Sequence, residues 1–408
     1  MRILIKPVYL LLFLSALTLT GNAFAESASK KCKTNWIAKN DADFASDCAE
    51  MAFKGSLKER QYLAWMFFAR VNQLISDSHG VSDSGRVPEW MAWATDDDTF
   101  AANPSFKFKE TNRDDLKTVT EKKVLAGGVS VDQPDSANEE VTRNVIGYDY
   151  ITKTAKLNTK QGVLDYIKAG NRVDMPVGSV EIKASWLKVP LGGAPEGALV
   201  FNFKSGAYWW RGLHIMVKMQ SLPKDENLFY TEEPSWFWTT FEFNDNPGID
   251  HVREKLITQR KPLSLKEIKK ILSEAGIEGF GFEAYAPNGT QIRFTEKGKG
   301  TKPVILGHTN MEDFAGSPNT AQPSYWTSFN ASCHTCHATA AINPETETFF
   351  PFTVPTGALT PQYYGTATEE KPSKGAGSKS TESVTVNLYL GDGFVPLDFM
   401  WPISFHAK

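Results

Sequence analysis

Val180-Glu181-Ile182-Lys183-Ala184-Ser185-Trp186 alternates apolar and polar residues with period two, the pattern of a strand with one face buried. The same type of pattern recurs downstream. Ala198 to Phe203 is apolar, Leu213 to Met219 alternates again, and Phe237 to Phe243 is aromatic and Thr-rich, so these read as successive antiparallel strands. Phe280 to Ala286 and Thr290 to Phe294 flank Pro287-Asn288-Gly289 and read as a hairpin. Helices border this middle. Ser56-Leu57-Lys58-Glu59 has the form of a capping box. The helix it opens is apolar on almost every face from Tyr62 to Ile75 and is expected to end near His79-Gly80. A second helix is expected over Thr159 to Ala169, with Gly170 as its stop, and a third starts at Ser264, with Glu267 completing its box and Gly276 ending it.

The fold class is therefore α+β. A mainly helical portion (26–175) precedes an antiparallel β-rich portion (176–310) and a C-terminal helical segment (320–408). In that last segment Trp326 to Ala341 is expected to be helical until Pro344 breaks it, and Val384 to Leu390 to be a strand. The Lys, Ser, Gly and Glu-rich tract 366–382 has no apolar anchor and is expected to be a flexible loop. The acidic run Asp96 to Asp98 reads as a solvated turn, and 103–144 as polar surface.

Residues 1–25 read as a signal peptide. Arg2 and Lys6 give a positive start, Val8 to Thr20 is apolar, and Ala23-Phe24-Ala25 is a small-x-small cleavage site. Cleavage leaves 408 − 25 = 383 residues, enough for two or three packed units. No second apolar run approaches the roughly 18 residues of a membrane span, so a periplasmic protein without a membrane span is expected. The formal net charge of −3 becomes −3 − 2 = −5 once Arg2 and Lys6 are removed, which argues against nucleic acid as a partner. Neither a phosphate-cradling Gly-rich motif nor a G-x-S-x-G elbow is present.

The chemistry concentrates in Cys333-His334-Thr335-Cys336-His337. This C-x-x-C-H spacing matches the attachment site of a c-type haem. On one helical turn residues three apart share a face, so two thiols reach the two vinyl groups of one porphyrin, and the adjacent imidazole of His337 is placed as the proximal iron ligand. A dithiol redox pair, half of a zinc site or a plain disulfide are the competing readings. No strand of a βαβ unit precedes Cys333, and Cys333, Cys336 and His337 are one ligand short of a closed zinc site. The remaining cysteines, Cys32 and Cys48, read as a disulfide in an oxidising compartment.

Gly212-Leu213-His214-Ile215, the segment Pro234 to Glu242 with Asn246-Pro247, and the late Cys333 to His337 motif together resemble a group of exported, single-haem c-type cytochrome-like proteins of Gram-negative bacteria. The resemblance covers roughly half of the chain and implies one covalently bound haem c. The motif lies far later than in small soluble cytochromes c. For the sixth iron position Met400, 400 − 337 = 63 residues past His337, is one candidate and His214 the alternative. Glu181 and Glu242 are candidate buried carboxylates near the iron. His406 is expected to be exposed near the terminus, while His79, His251 and His308 lack supporting context. Two functions follow. One is electron transfer with a redox partner protein; the other is a haem-dependent oxidoreductase, peroxidase- or oxygenase-like, with an open distal iron site and a small-molecule substrate pocket in the β-rich portion.

Overall fold

Seven antiparallel strands form the central sheet of the computed structural model. They are β1 (Ala94–Thr95), β2 (Ala137–Arg143), β3 (Val180–Val189), β4 (Val200–Phe203), β5 (Gly206–Lys218), β6 (Trp236–Phe243) and β7 (Tyr285–Gln291). Their spatial order is β7-β6-β5-β3-β2-β1, with β4 paired to β5. The helices include α1 (Asp41–Phe53), α2 (Leu57–Val71), α3 (Lys160–Lys168), α4 (Leu265–Glu274), α5 (Cys333–His337) and α6 (Trp401–His406). A small sheet joins Ala341–Asn343 to both Thr348–Phe349 and Val395–Pro396. The structure describes residues 29–77, 80–104, 106, 123–124, 130–131, 137–190, 192–222, 235–246, 261–293, 304–309, 311–312, 316–319, 322–329, 332–350, 366–371, 382–387 and 393–407. Residues 1–25, read above as a signal peptide, lie outside them. Among the described residues no helix is long and apolar enough to cross a membrane.

Alternation along each strand gives the sheet two unlike faces. One is apolar: Val180, Ile182, Ala184 and Trp186 of β3, Leu213, Ile215 and Val217 of β5, and Phe237 and Phe241 of β6 pack with α1, α2 and α4 in one core. Phe68 of α2 stacks on Phe241 with ring centroids 4.1 Å apart, and Trp65 meets the same ring edge-on at 5.0 Å. Full burial of such a ring contributes about 1.5–3 kcal/mol each. Ser56 caps α2 and Ser264 caps α4, each with its reciprocal Glu, as the two capping boxes require. Cys32 and Cys48 form a disulfide with Cα atoms 4.6 Å apart, tying the first described turn to α1.

The other face carries Glu181 and Lys183 of β3, Gly212, His214, Met216 and Lys218 of β5, and Trp236, Trp238, Thr240 and Glu242 of β6. Its apolar members Met216, Trp236 and Trp238 join a second core with α3, Cys333, Leu397, Met400 and Ile403. The helical N-terminal portion and β-rich middle are thus as expected, and α3 starts from Thr159 as its cap.

Several local expectations are overturned. Helix α2 ends at Val71, well before His79, because Asn72 turns inward. Its Nδ2 donates to the Phe68 carbonyl at 2.8 Å and its Oδ1 accepts from Trp90 Nε1 at 3.0 Å. Residues Leu74–Ser76 then pair with Arg86–Pro88. The Pro287-Asn288-Gly289 hairpin does not form. The chain runs straight through as β7, because β6 offers a continuous partner and a bulge at Thr240/Phe241 absorbs the misfit at Pro287. Asp96 to Asp98 opens a short helix capped by Thr95, with Asp96 paired to buried Arg143, so it is no solvated turn. Within 103–144, residues Ala137–Arg143 are strand β2 of the central sheet. Gln322–Phe329, rich in aromatic and hydroxyl residues that favour strands, pairs with Gly316–Asn319, and the helix expected over Trp326 to Ala341 shrinks to α5. Thr366–Lys371 pairs with Glu382–Asn387, so the described flanks of the Lys/Ser/Gly tract form a ladder.

Candidate functional site

Helix α5 sits against the second face of the sheet, held from both sides. At the end of β7, Gln291 Nε2 donates to Ser332 Oγ at 2.9 Å and Gln291 Oε1 accepts from the His334 amide at 3.1 Å, so the entry to the helix is fixed to the sheet edge. Trp238 of β6 packs edge-on against the His337 ring, with centroids 4.6 Å apart, and tilts against His334 at 5.8 Å. From the other side, Trp401 Nε1 donates to the Cys336 carbonyl at 2.6 Å. Helical bonds from Cys336 N to Ser332 O and from Ala338 N to His334 O close the turn. Cys333 and Cys336 therefore share a helix side, and neither is in a disulfide.

His337 Nδ1 lies 2.9 Å from the Phe399 carbonyl. A carbonyl only accepts, so the proton is on Nδ1 and the lone pair on Nε2. Burial pushes this imidazole down to about 4, against the pull of the Phe399 carbonyl, which keeps it in the neutral, metal-binding form at pH 7. Burial, followed by the charge of Glu312, pushes the Cys333 thiol well above its ordinary value. A low-pKa thiolate is what a dithiol redox pair needs, so this environment disfavours that reading.

Beside the motif the polar face of the sheet carries a connected set of buried groups. His214 is engaged at both ring nitrogens, with Thr240 Oγ1 2.7 Å from Nδ1 and Glu312 Oε1 2.9 Å from Nε2. Glu312 Oε2 in turn accepts from the His308 amide at 2.5 Å. Against an opposing burial, His214 and then Lys183 hold Glu312 down to about 2. Lys183 is itself raised, since Glu139 at 2.9 Å and Glu312 outweigh the burial that lowers it. A neighbouring knot centres on Glu242, whose carboxylate accepts from Asn246, Asn288 and Thr309. His308, fully buried, sits 3.8 Å from it and is pushed down to about 4 by burial.

The candidates named from the sequence are thereby sorted. Cys333, Cys336 and His337 share α5, and His214 and Glu242 lie on the sheet face that faces them. Glu181 belongs elsewhere, to a cluster with Arg143, Asp96 and His406. His406 is not a free terminal residue: it pairs with Asp96 at 3.3 Å and stacks on Phe100. Met400 is buried in the second core, its amide bonded to the Leu397 carbonyl at 2.9 Å. Lys183 and Glu312 were missed from the sequence, and His308 was set aside there for want of context. Lys183 had a signal in its alternation with Glu181, and His308 and Glu312 stand four residues apart, but nothing local connects them to the motif.

The donor set fits a c-type haem: two thiols outside any disulfide, three residues apart on one helical turn, and an adjacent imidazole with its tautomer fixed. Among the described residues no three His, Cys, Asp or Glu side chains are arranged to hold a metal ion; a haem brings its own equatorial nitrogens and asks the protein for one or two ligands only. Comparison of the chain with protein-family models, curated proteins and solved structures gives no match.

Proposed function

We propose that this chain is an exported, periplasmic c-type haem protein that transfers electrons, with one haem c joined to Cys333 and Cys336 and His337 as the proximal ligand. The observation that carries the reading is the 2.9 Å bond from His337 Nδ1 to the Phe399 carbonyl. Ligating histidines donate their second ring N–H in this way, which fixes the ring and raises its donor strength. When bound, the haem supplies one-electron chemistry. The chain's own part is to tether it through two thiols, orient the imidazole and line one side with Trp238. A redox partner protein is the expected partner.

A second reading, a haem-dependent oxidoreductase acting on a small-molecule substrate, is favoured by two specific observations. Buried acid–base groups, His214 with Glu312 and Lys183, stand next to the motif. Met400 follows the carbonyl on the Nδ1 side of His337, so its backbone is rooted away from Nε2, where iron would bind. For His214 to ligate iron it would have to release Glu312 or Thr240.

The test is to express the chain in a Gram-negative host that matures c-type haem, and to denature the purified protein in acid. Haem should stay with the polypeptide, and Cys333→Ser, Cys336→Ser and His337→Ala should each lower haem content far more than His334→Ala does. Haem that separates cleanly from wild type would overturn the proposal. Cyanide binding to the ferric protein then divides the readings: an electron carrier whose sixth iron position is filled by a side chain resists cyanide, whereas the oxidoreductase binds it rapidly as wild type.

A further inference from the structure

The carbonyl that receives His337 Nδ1–H belongs to an unusual turn. Asp398 and Phe399 are consecutive non-glycine residues at φ 49° and 66°, in the left-handed region. Asp tolerates that region, but Phe does so only when its surroundings impose it. The imposing group is the Asp398 carboxylate. Oδ2 accepts from the Met175 amide at 2.7 Å and from Lys218 Nζ at 2.8 Å, while Oδ1 accepts from Trp236 Nε1 at 2.9 Å. These three donors come from the loop after α3, from β5 and from β6. Lys218 is itself buried and also bridges to Asp174 at 2.7 Å. The turn is closed by Met400 N bonding Leu397 O, and its start is tied by Leu397 N to the Ala340 carbonyl, just past α5.

We propose that Asp398 is the positioning residue of the proximal side: by rooting the 397–400 turn on β5 and β6 it fixes the Phe399 carbonyl against His337 Nδ1 and so sets the imidazole's orientation and donor strength toward iron. The proposal deepens the haem reading and rests on it for the effect on iron, but the clamp on His337 exists in the polypeptide alone. Its chemistry is simple. An Nδ1–H···O=C bond gives the imidazole more anionic character, which favours Fe(III) and lowers the reduction potential. Loosening the turn weakens that bond and raises the potential.

The experiment uses the full haem-bearing chain, ¹⁵N-labelled at histidine, and compares wild type with Asp398→Ala, Asp398→Gly and Asp398→Asn. Asp398→Gly matters because glycine accepts the left-handed backbone freely, separating loss of the three hydrogen bonds from relief of the conformation. The readouts are solvent exchange of the His337 Nδ1 proton and the midpoint potential. Asp398→Ala and Asp398→Gly should speed exchange by roughly tenfold or more, in the range of second-shell losses, and raise the potential. Asp398→Asn, which keeps an acceptor oxygen, should fall between them and wild type. Trp186→Phe, on the opposite face of the sheet, controls for general loosening. Unchanged exchange and potential in Asp398→Ala and Asp398→Gly would overturn the proposal, as would an equal shift in Trp186→Phe. If the purified chain carries no covalent haem, the functional reading fails separately, and the exchange measurement alone decides the clamp: faster exchange in Asp398→Ala supports it and unchanged exchange overturns it.

Discussion

Glu242 has no exposed surface, yet its charge is well provided for. Asn246 Nδ2 (2.9 Å) and Asn288 Nδ2 (2.6 Å), together with Thr309 N (2.7 Å) and Thr309 Oγ1 (2.6 Å), all donate to its two oxygens. These donors tie β6 to β7 and to the 304–312 stretch that carries His308 and Glu312. A carboxylate suits four donors because it only accepts. An amide does not: in Glu242→Gln one oxygen becomes an NH₂ that must face a donor, leaving buried groups unsatisfied. The expected cost is about 2 kcal/mol, the usual size for a buried polar group left without a partner. It should be read as a lowered urea midpoint at unchanged slope; a midpoint within error of wild type would show that these bonds contribute nothing net. Gly212, directly across from Glu242 on β5, is part of the same economy of space. At φ 145° a Cβ there would run into the Phe241 carbonyl and stand 2.9 Å from His308 Nε2, so only glycine lets the two strands and the histidine close up.

Elements whose instructions are local were legible in the sequence, and elements that depend on distant partners were not. The alternation in β3 and β5, the aromatic run in β6 and the Ser-x-x-Glu boxes of α2 and α4 each lie within a few residues, and each is realised. Ser56→Ala should therefore cost α2 about 1 kcal/mol of stability, the typical worth of an N-cap, measured by chemical denaturation; because Glu59 also serves the Ser56 amide at 2.8 Å, Ser56→Asp should recover most of it. By contrast, Pro287-Asn288-Gly289 is a strong local turn signal that lost to the unpaired edge of β6, and Asn288 became a buried donor to Glu242 instead. Strand β2 was hidden because its residues, Glu139, Glu140 and Thr142 among them, look like surface until Ser185, Ala184 and Ile182 pair across from them. The attachment motif shows the same division. Its spacing could be read from five residues, whereas its seat could not, since Gln291, Trp238, Phe399 and Trp401 reach it from 40 to 100 residues away and only the folded sheet brings them together.

At the scale of the whole molecule, the sheet separates an oily side that supplies cohesion from a polar side that carries the chemistry, and burying so many charges on the second makes stability depend on pH. The cluster between β1, β2 and β3 supplies one such dependence. One guanidinium, Arg143, serves two carboxylates: it bonds Asp96 closely and stands 3.5 Å from Glu181. Despite burial, Arg143 and then His406 keep Asp96 below its ordinary value. Glu181 gets the weaker share, and burial, opposed by Arg143, pushes it up to about 7 from 4.5. The folded chain thus holds a proton there that the unfolded chain releases above pH 4.5, so this group's contribution is fully present below that value and is lost as pH rises through about 7. At roughly 1.4 kcal/mol per pH unit the loss is on the order of 3 kcal/mol. Glu312 acts in the opposite sense but outside this window, because a carboxyl held down to about 2 loses its contribution only as pH falls below 4.5. Buried His308, held down to about 4 from 6.5, works against Glu181 over much of the same range, because the unfolded chain takes up a proton there that the folded chain refuses. The contribution of Glu181 is therefore read as a difference: Glu181→Gln, which keeps the neutral shape, should gain on the order of 3 kcal/mol over wild type between pH 4.5 and 7.5 in urea unfolding. A difference that stays constant across this range would place the buried proton on another group.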